Sequence, residues 1–366
     1  MGIMVNRLSH NELSVGVVTL SGRFNYGNRL QCYATQQLLK SHGCAVETLE
    51  FTDLNPKRII KRKIKSVLGA NVEQSRVMKM SPERRNAFAE FQSLIQTRKV
   101  SQARPDFVSD YHYLATGSDQ VWNPAFMSYK YPELLRFAPG EKRIALAASI
   151  GARELDEKHR RLFSKALCDF KCISVREENA SRIVRELTGR EPAVVIDPTL
   201  MLDSSIWGHI ANNRLVPRGP YVFAYCLSSD SVEIQSFCET VRKAYHAESV
   251  VWVSDNDNNS QIPAGPTDFI SLIANAEAVV TDSFHGSIFS VLFHKQFYIF
   301  KRNGMQDMFS RIETLVKQLS LQNQVVDAEN STCGSLLETP VDYVVTDDLL
   351  DGQRKLFNDF LSVCLR

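Results

Sequence analysis

The feature that most constrains this fold is a strand–turn–helix–strand rhythm that runs through the first half of the chain, closes, and starts again near residue 220. Val15–Leu20 (VGVVTL) is a short β-branched run between polar flanks, the pattern of a buried strand. From Asn28 onward, Leu30, Tyr33, Ala34, Leu38 and Leu39 recur at helical spacing, and Gly43 follows as a C-cap. Ala45–Phe51 then alternates as a second strand. Strand, helix and strand in so short a stretch form a βαβ unit, which commits the chain to a parallel sheet. Further strands read at Tyr113–Gly117, Arg143–Ile150, Cys172–Arg176 and Ala193–Ile196, with helices over Glu157–Phe170 and Glu178–Leu187. The restart gives strands at Tyr221–Leu227, Ser249–Val253, Ala278–Thr281 and Phe297–Phe300, with helices over Ser231–Ala247 and Asp268–Ala274 and an apolar helix ending near His294.

A chain of 366 residues exceeds what one core serves, so the two halves read as two domains joined near 203–219. The expected fold class is α/β, with two facing Rossmann-like domains in a GT-B-like architecture. The first domain spans 1–205 and the second 206–345, and an amphipathic helix over 346–366 returns to pack on the first. Residues 55–104 break the rhythm and are expected to be a helical insertion outside the sheet. In such folds ligands bind beyond the carboxyl ends of the strands, which directs attention to the inter-domain cleft.

Composition narrows the function classes. Forty-three Lys and Arg against forty-one Asp and Glu leave +2, too little for nucleic acid as the main partner. No run approaches the ~18–20 apolar residues of a membrane helix, and the first residues lack the apolar core of a leader. A cytoplasmic location is expected. The eight cysteines form no Cys-x-x-Cys pair and match no structural zinc spacing, so they are expected to be reduced, buried small hydrophobes, with Cys168 and Cys172 on one helical face.

Four turns place polar residues where a strand has just ended. Asn25-Tyr26-Gly27-Asn28 opens a helix whose free N–H groups can receive an anion, with Gln31 one turn on and Gly27 allowing close backbone approach; the plain alternative is a capped turn. Gly117-Ser118-Asp119-Gln120-Val121-Trp122 offers a carboxylate, an amide and a flat aromatic face of the kind sugars stack on; the alternative is a turn sealed by a buried Trp. Arg176 at the end of its strand suits bidentate capture of a carboxylate or phosphate, or else pairs with Glu177 or Glu178. In Thr281-Asp282-Ser283-Phe284-His285-Gly286-Ser287, His285 stands at the start of a helix, where an imidazole can move protons near neutral pH beside an anion.

These segments, in order, carry a resemblance. NYGNRLQCYATQQLLKSHG, GSDQVWNP, SVREENASRIVRELTG followed by VVIDPTLML, and DFISLIANAEAVVTDSFHGSIFSVLF together resemble the polysaccharide pyruvyl transferase family, over about Val15 to Leu321. The resemblance implies phosphoenolpyruvate as co-substrate, no further cofactor, no metal, and a pyruvate ketal bridging two hydroxyls of a sugar in a cell-surface polymer or lipid-linked precursor. On that reading His285 is the acid, Asp119 the base or hydroxyl orienter, and Arg176 the anion clamp. Asn25, Tyr26, Gly27, Asn28, Gln31, Gly117, Ser118, Gln120, Trp122, Ser149, Asp282, Ser283, Gly286 and Ser287 line the donor and acceptor sites. Members of the family can carry an arginine where this chain has Ser283, so a substitute is expected from Lys301, Arg302 or Arg311. The alternatives are a nucleotide-sugar glycosyltransferase and a non-catalytic glycan-binding relative. Finally, Lys57, Arg58, Lys61, Arg62, Lys63 and Lys65 are expected either to face solvent or to give weak peripheral contact with an anionic membrane face.

Overall fold

The computed structural model describes residues 12–20, 24–52, 80–128, 130–227, 231–254, 262–301, 309–326 and 337–366. Arg302 and the basic cluster Lys57–Lys65 lie outside these residues.

The first sheet has seven strands: β1 Leu13–Val18, β2 Cys44–Phe51, β3 Thr97–Val100, β4 Tyr113–Thr116, β5 Arg143–Ala148, β6 Cys172–Val175 and β7 Ala193–Val194. They are all parallel, in the order β3-β2-β1-β4-β5-β6-β7. The second sheet has five: β8 Tyr221–Tyr225, β9 Ser249–Val253, β10 Ala278–Thr281, β11 Gln296–Phe300 and β12 Val325–Val326, again parallel, in the order β12-β11-β10-β8-β9. Both interiors follow from the sequence. A parallel strand is covered on both faces, and Tyr221–Tyr225 and Ala278–Thr281 are buried along their whole length.

The expected pair of Rossmann-like domains is therefore present. One expectation needs correction. Residues 97–100 are not outside the sheet: β3 pairs with β2 in register, Thr48 beside Thr97 and Phe51 beside Val100. Thr-Arg-Lys-Val carries a single buried apolar side chain, as suits a short polar edge strand, and that pattern is weak in sequence. The preceding helix, Pro82–Gln92, packs on the second domain rather than standing apart. Arg84 Nη2 donates to Ser254 O at 2.6 Å, and the guanidinium lies 5.3 Å from the Tyr26 ring centre.

Each sheet has one place where strand order reverses from the starting strand, between β1 and β4 in the first and between β8 and β10 in the second. Adjacent crossovers there leave on opposite faces and open a crevice. The first helix, Tyr26–Ser41, starts from the first crevice, and the helix Phe284–Leu292 starts from the second. Aromatic packing holds these starts together. Tyr26 stacks on Phe269 at 4.8 Å and meets Tyr225 edge-on at 5.5 Å.

The last helix, Tyr343–Cys364, spans both domains. Near its start Thr346 Oγ1 donates to Leu319 O; further along, Arg354 Nε donates to Leu200 O. No helix among the described residues is long and apolar enough to cross a membrane.

Candidate active site

Asp119, Arg176 and His285 were singled out on separate strand ends, and the structure brings all three together at the facing crevices. Arg176 is fully buried. Its Nη1 reaches Asp197 Oδ2 at 2.5 Å, its Nη2 reaches Asp119 Oδ1 at 3.2 Å, and its guanidinium carbon lies 4.3 Å from the centre of the Phe284 ring. Arg311, on the helix Ser310–Gln318, completes the cluster, with Nη1 3.7 Å from Asp119 Oδ1. His285 Nε2 is buried without a hydrogen-bond partner, and Asp197 Oδ2 lies 3.9 Å from it.

Local structure explains how each group is held. Asp119 follows β4 with φ of 66°, a left-handed conformation that Asp tolerates better than most side chains. Its carbonyl accepts Val121 N and Ser149 N, which ties the turn to the end of β5. Its carboxylate accepts Gln120 N at 2.8 Å and the Asn28 side-chain amide. Asp197 caps a 3-10 turn through Thr199 N and Oγ1, and accepts Ser118 Oγ at 2.8 Å. Ser283 is the N-cap of the helix that begins at Phe284, its hydroxyl accepting Gly286 N. Serine at this position is therefore a good helix starter. Gly27 lies close against this ring: a Cβ there would stand 2.2 Å from His285 Nδ1.

The electrostatics follow from burial and neighbours. Burial pushes the Asp119 pKa up, but Arg176, His285 and Arg311 outweigh it and hold the carboxyl at about 2. Asp197 is likewise lowered: burial raises it, and Arg176 and then His285 more than compensate. His285 moves below its ordinary 6.5, because desolvation and the two arginines outweigh the pull of Asp197 and Asp119. The resting cluster is thus two carboxylates, two guanidiniums and a neutral imidazole.

Several expected site residues have other duties. Trp122 is not a stacking face. It is wholly buried, donates Nε1–H to Glu133 O and packs edge-on against Phe163 and Phe170, so it seals the turn from below. Tyr26 is fully buried between the domains, its hydroxyl donating to Ala264 O at 2.7 Å. Arg176 pairs with neither Glu177 nor Glu178 by hydrogen bond; both terminal nitrogens are taken by aspartates, which leaves no free fork for a ligand. Asn25 caps the first helix by accepting Asn28 N. Gln31 Nε2 donates to Thr19 Oγ1, while its buried Oε1 has no partner. Gln120 accepts from Asn123, and Ser149 donates to Glu177. Asp282 accepts Leu227 N, and Ser287 donates back to Ser283 O. Gly286 allows close packing, since a Cβ would meet Thr281 Oγ1 at 2.3 Å; Gly117 donates its N–H to Val18 O. Lys301 is exposed, 5.6 Å from the Phe309 ring centre.

Two residues were missed. Asp197 ends its own strand before Pro198, and the same strand-end rule that selected Arg176 would have found it. Glu177 is fully buried, and its Oε1 accepts Ser149 Oγ, Ile150 N and Gly151 N, fixing the turn after β5; no sequence signal separates it from a surface glutamate.

Two parallel-sheet domains meeting at their switch points, with an ionised polar cluster between them, define a two-domain α/β protein with a cleft site. The sequence matches the family described as polysaccharide pyruvyl transferase over residues 25–304, and the chain belongs to that family. No curated protein matches it significantly. Among solved structures it is similar to a UDP complex of MnaA from S. aureus, at 9% identity, 94% and 90% of the two chains and a TM-score of 0.48. Others are UDP-GlcNAc 2-epimerase from Neisseria meningitidis bound to UDP-GlcNAc (11%, 92% and 99%, 0.44) and E. coli ADP-heptose heptosyltransferase II (9%, 94% and 99%, 0.39).

Proposed function

We propose that this cleft transfers the pyruvate unit of phosphoenolpyruvate to two hydroxyls of one sugar in a cell-surface polysaccharide or its precursor, releasing phosphate. The observation that carries the reading is the buried, unpartnered His285 Nε2 beside Asp197, Asp119, Arg176 and Arg311.

In this reaction C3 of the donor gains a proton and C2 becomes oxocarbenium-like. One sugar oxygen bonds to C2, the C2–O bond to phosphate breaks, and a second sugar oxygen closes the ketal. The two hydroxyl protons end on C3 and on phosphate. His285 gives the C3 proton and recovers one from a hydroxyl, work for which an imidazole suits neutral pH. Asp119 is a poor proton acceptor at about 2. Its role is the fixed negative charge that favours the cationic C2 and orients a hydroxyl. Arg176 holds both aspartates in place, and Arg311 replaces the arginine absent at Ser283 as the donor's cation.

The test is a thermal-shift comparison of phosphoenolpyruvate with UDP, followed by NMR of donor and sugar diols for a new ketal methyl signal with release of phosphate. Stabilisation by phosphoenolpyruvate and loss of turnover in His285→Gln support the reading. Stabilisation by UDP alone, or undiminished turnover in His285→Gln, overturns it.

A further inference from the structure

Cys168 and Cys172 do not share a helical face: Cys168 is exposed at the end of the helix Glu157–Leu167, and Cys172 is the first residue of β6. Cys172 has a different neighbour, 192 positions along the chain, the Cys364 thiol, which ends the last helix and is fully buried. Packing places them together: Cys172 lies against the core cluster that holds Cys364, and the flanking residues join the two segments. Lys171 Nζ donates to Arg366 O at 2.7 Å, and Tyr113 OH donates to the same oxygen at 2.7 Å.

The helix that ends here is a strap. Its start is bound to the second domain, where Tyr343 OH donates to Ser290 O and Lys295 O and Asp347 meets His294. Its end is bound to the first, through Arg354 to Leu200 O, Asn358 to His42, and Arg366. A covalent bond at residue 364 would anchor this strap to the sheet that carries Asp119 and Arg176.

We propose that Cys172 and Cys364 are a thiol pair that a small-molecule disulfide oxidises to an internal disulfide, stapling the inter-domain strap to the first sheet. The Cys172 sulfur attacks the oxidant RSSR, forming a mixed disulfide and displacing one RS⁻. Cys364, losing its proton to solvent, then attacks the Cys172 sulfur and displaces the second RS⁻; the protein loses two hydrogens and two RSH are formed. The order follows from access and acidity. Cys172 is partly exposed, and hydrogen bonding from Cys364, against its partial burial and aided by Lys171 and Arg190, pushes its thiol down to about 7, whereas Cys364 is pushed up by donating that bond and by burial.

The experiment exposes the folded, full-length protein to oxidised glutathione and maps it by non-reducing peptide mass spectrometry. The expected result is a loss of two hydrogens, a cross-linked peptide pair holding residues 172 and 364, and at least fivefold slower amide exchange over 343–364. Cys364→Ser should stop at a glutathione adduct on Cys172, and Cys172→Ser should give neither adduct nor bridge at Cys364. The proposal is overturned if the wild-type protein forms no 172–364 bridge, or if Cys364→Ser leaves Cys172 unmodified while Cys168 is labelled.

Discussion

Replacing Gly27 by alanine puts one methyl group into a close contact between the two domains. The added Cβ would lie 2.2 Å from His285 Nδ1, 2.6 Å from Cε1 and 2.9 Å from Cγ. Ordinary contact needs about 3.4 Å, so the imidazole must retreat by about 1 Å or the first helix must back away. Stability should change little: alanine near a helix start gains at most about 1 kcal/mol over glycine, which the displacement offsets. If His285 transfers the proton as proposed, activity should change greatly, because a 1 Å displacement of such a group costs on the order of 10²-fold, about 2.7 kcal/mol of barrier. The assay is phosphate release from phosphoenolpyruvate with acceptor, run beside urea melts that check the fold. Gly27→Ala retaining half of wild-type turnover while its melt matches the wild type would refute the reasoning.

Asp197→Asn leaves Arg176 buried with one carboxylate instead of two; it should cost about 3–5 kcal/mol in urea unfolding, and a cost below about 1 would show that the pair is not structural. Trp122→Ala should lose about 3–5 kcal/mol by cavity formation, while Trp122→Phe should leave acceptor KM within about twofold; a tenfold rise in KM would restore the stacking role. Stability should fall in acid in two windows. His285, kept neutral below its ordinary 6.5, costs stability as the unfolded imidazole takes up a proton below about pH 6.5, so His285→Gln should flatten that limb. Asp119, moved from 3.8 to about 2, should lose about 2 kcal/mol of stabilisation as pH falls through that interval, and Asp119→Asn should lack this loss in pH-dependent melts.

Much of the fold was legible because a parallel sheet writes itself as short apolar runs punctuated by helices, and β8 and β10 are buried throughout. β3 was missed for the opposite reason, since an edge strand with one inward valine looks like loop. The site was legible where chemistry coincides with topology. Asp119, Arg176 and His285 were chosen because each ends a strand, and strand ends at a switch point face the cleft by construction. What could not be read was which side of a turn a side chain takes. Tyr26 and Trp122 are amphipathic rings, equally at home on a sugar or in a core, and only packing against Phe269 and Phe163 decides between them. Gly27 was read as letting backbone come close to a ligand; in the structure what approaches it is the ring of His285, a residue 258 positions away in another βαβ series.

For the proposed chemistry, the charges in the cluster supply a way for His285 to serve as an acid although burial lowers its pKa. In the resting site burial, with Arg176 and Arg311, outweighs Asp197 and Asp119 and holds the His285 ring below its ordinary value. A donor carrying a carboxylate and a phosphate adds at least two negative charges to this buried space. At about 4 Å and an effective dielectric of about 20, each contributes on the order of 4 kcal/mol toward the protonated ring, which opposes the depression that burial imposes. On the proposed chemistry, donor binding therefore draws in the proton that the C3 carbon will receive. On that proposal the acid would exist only in the loaded site, with the fixed aspartate charge beside the carbon that becomes cationic when the proton is spent.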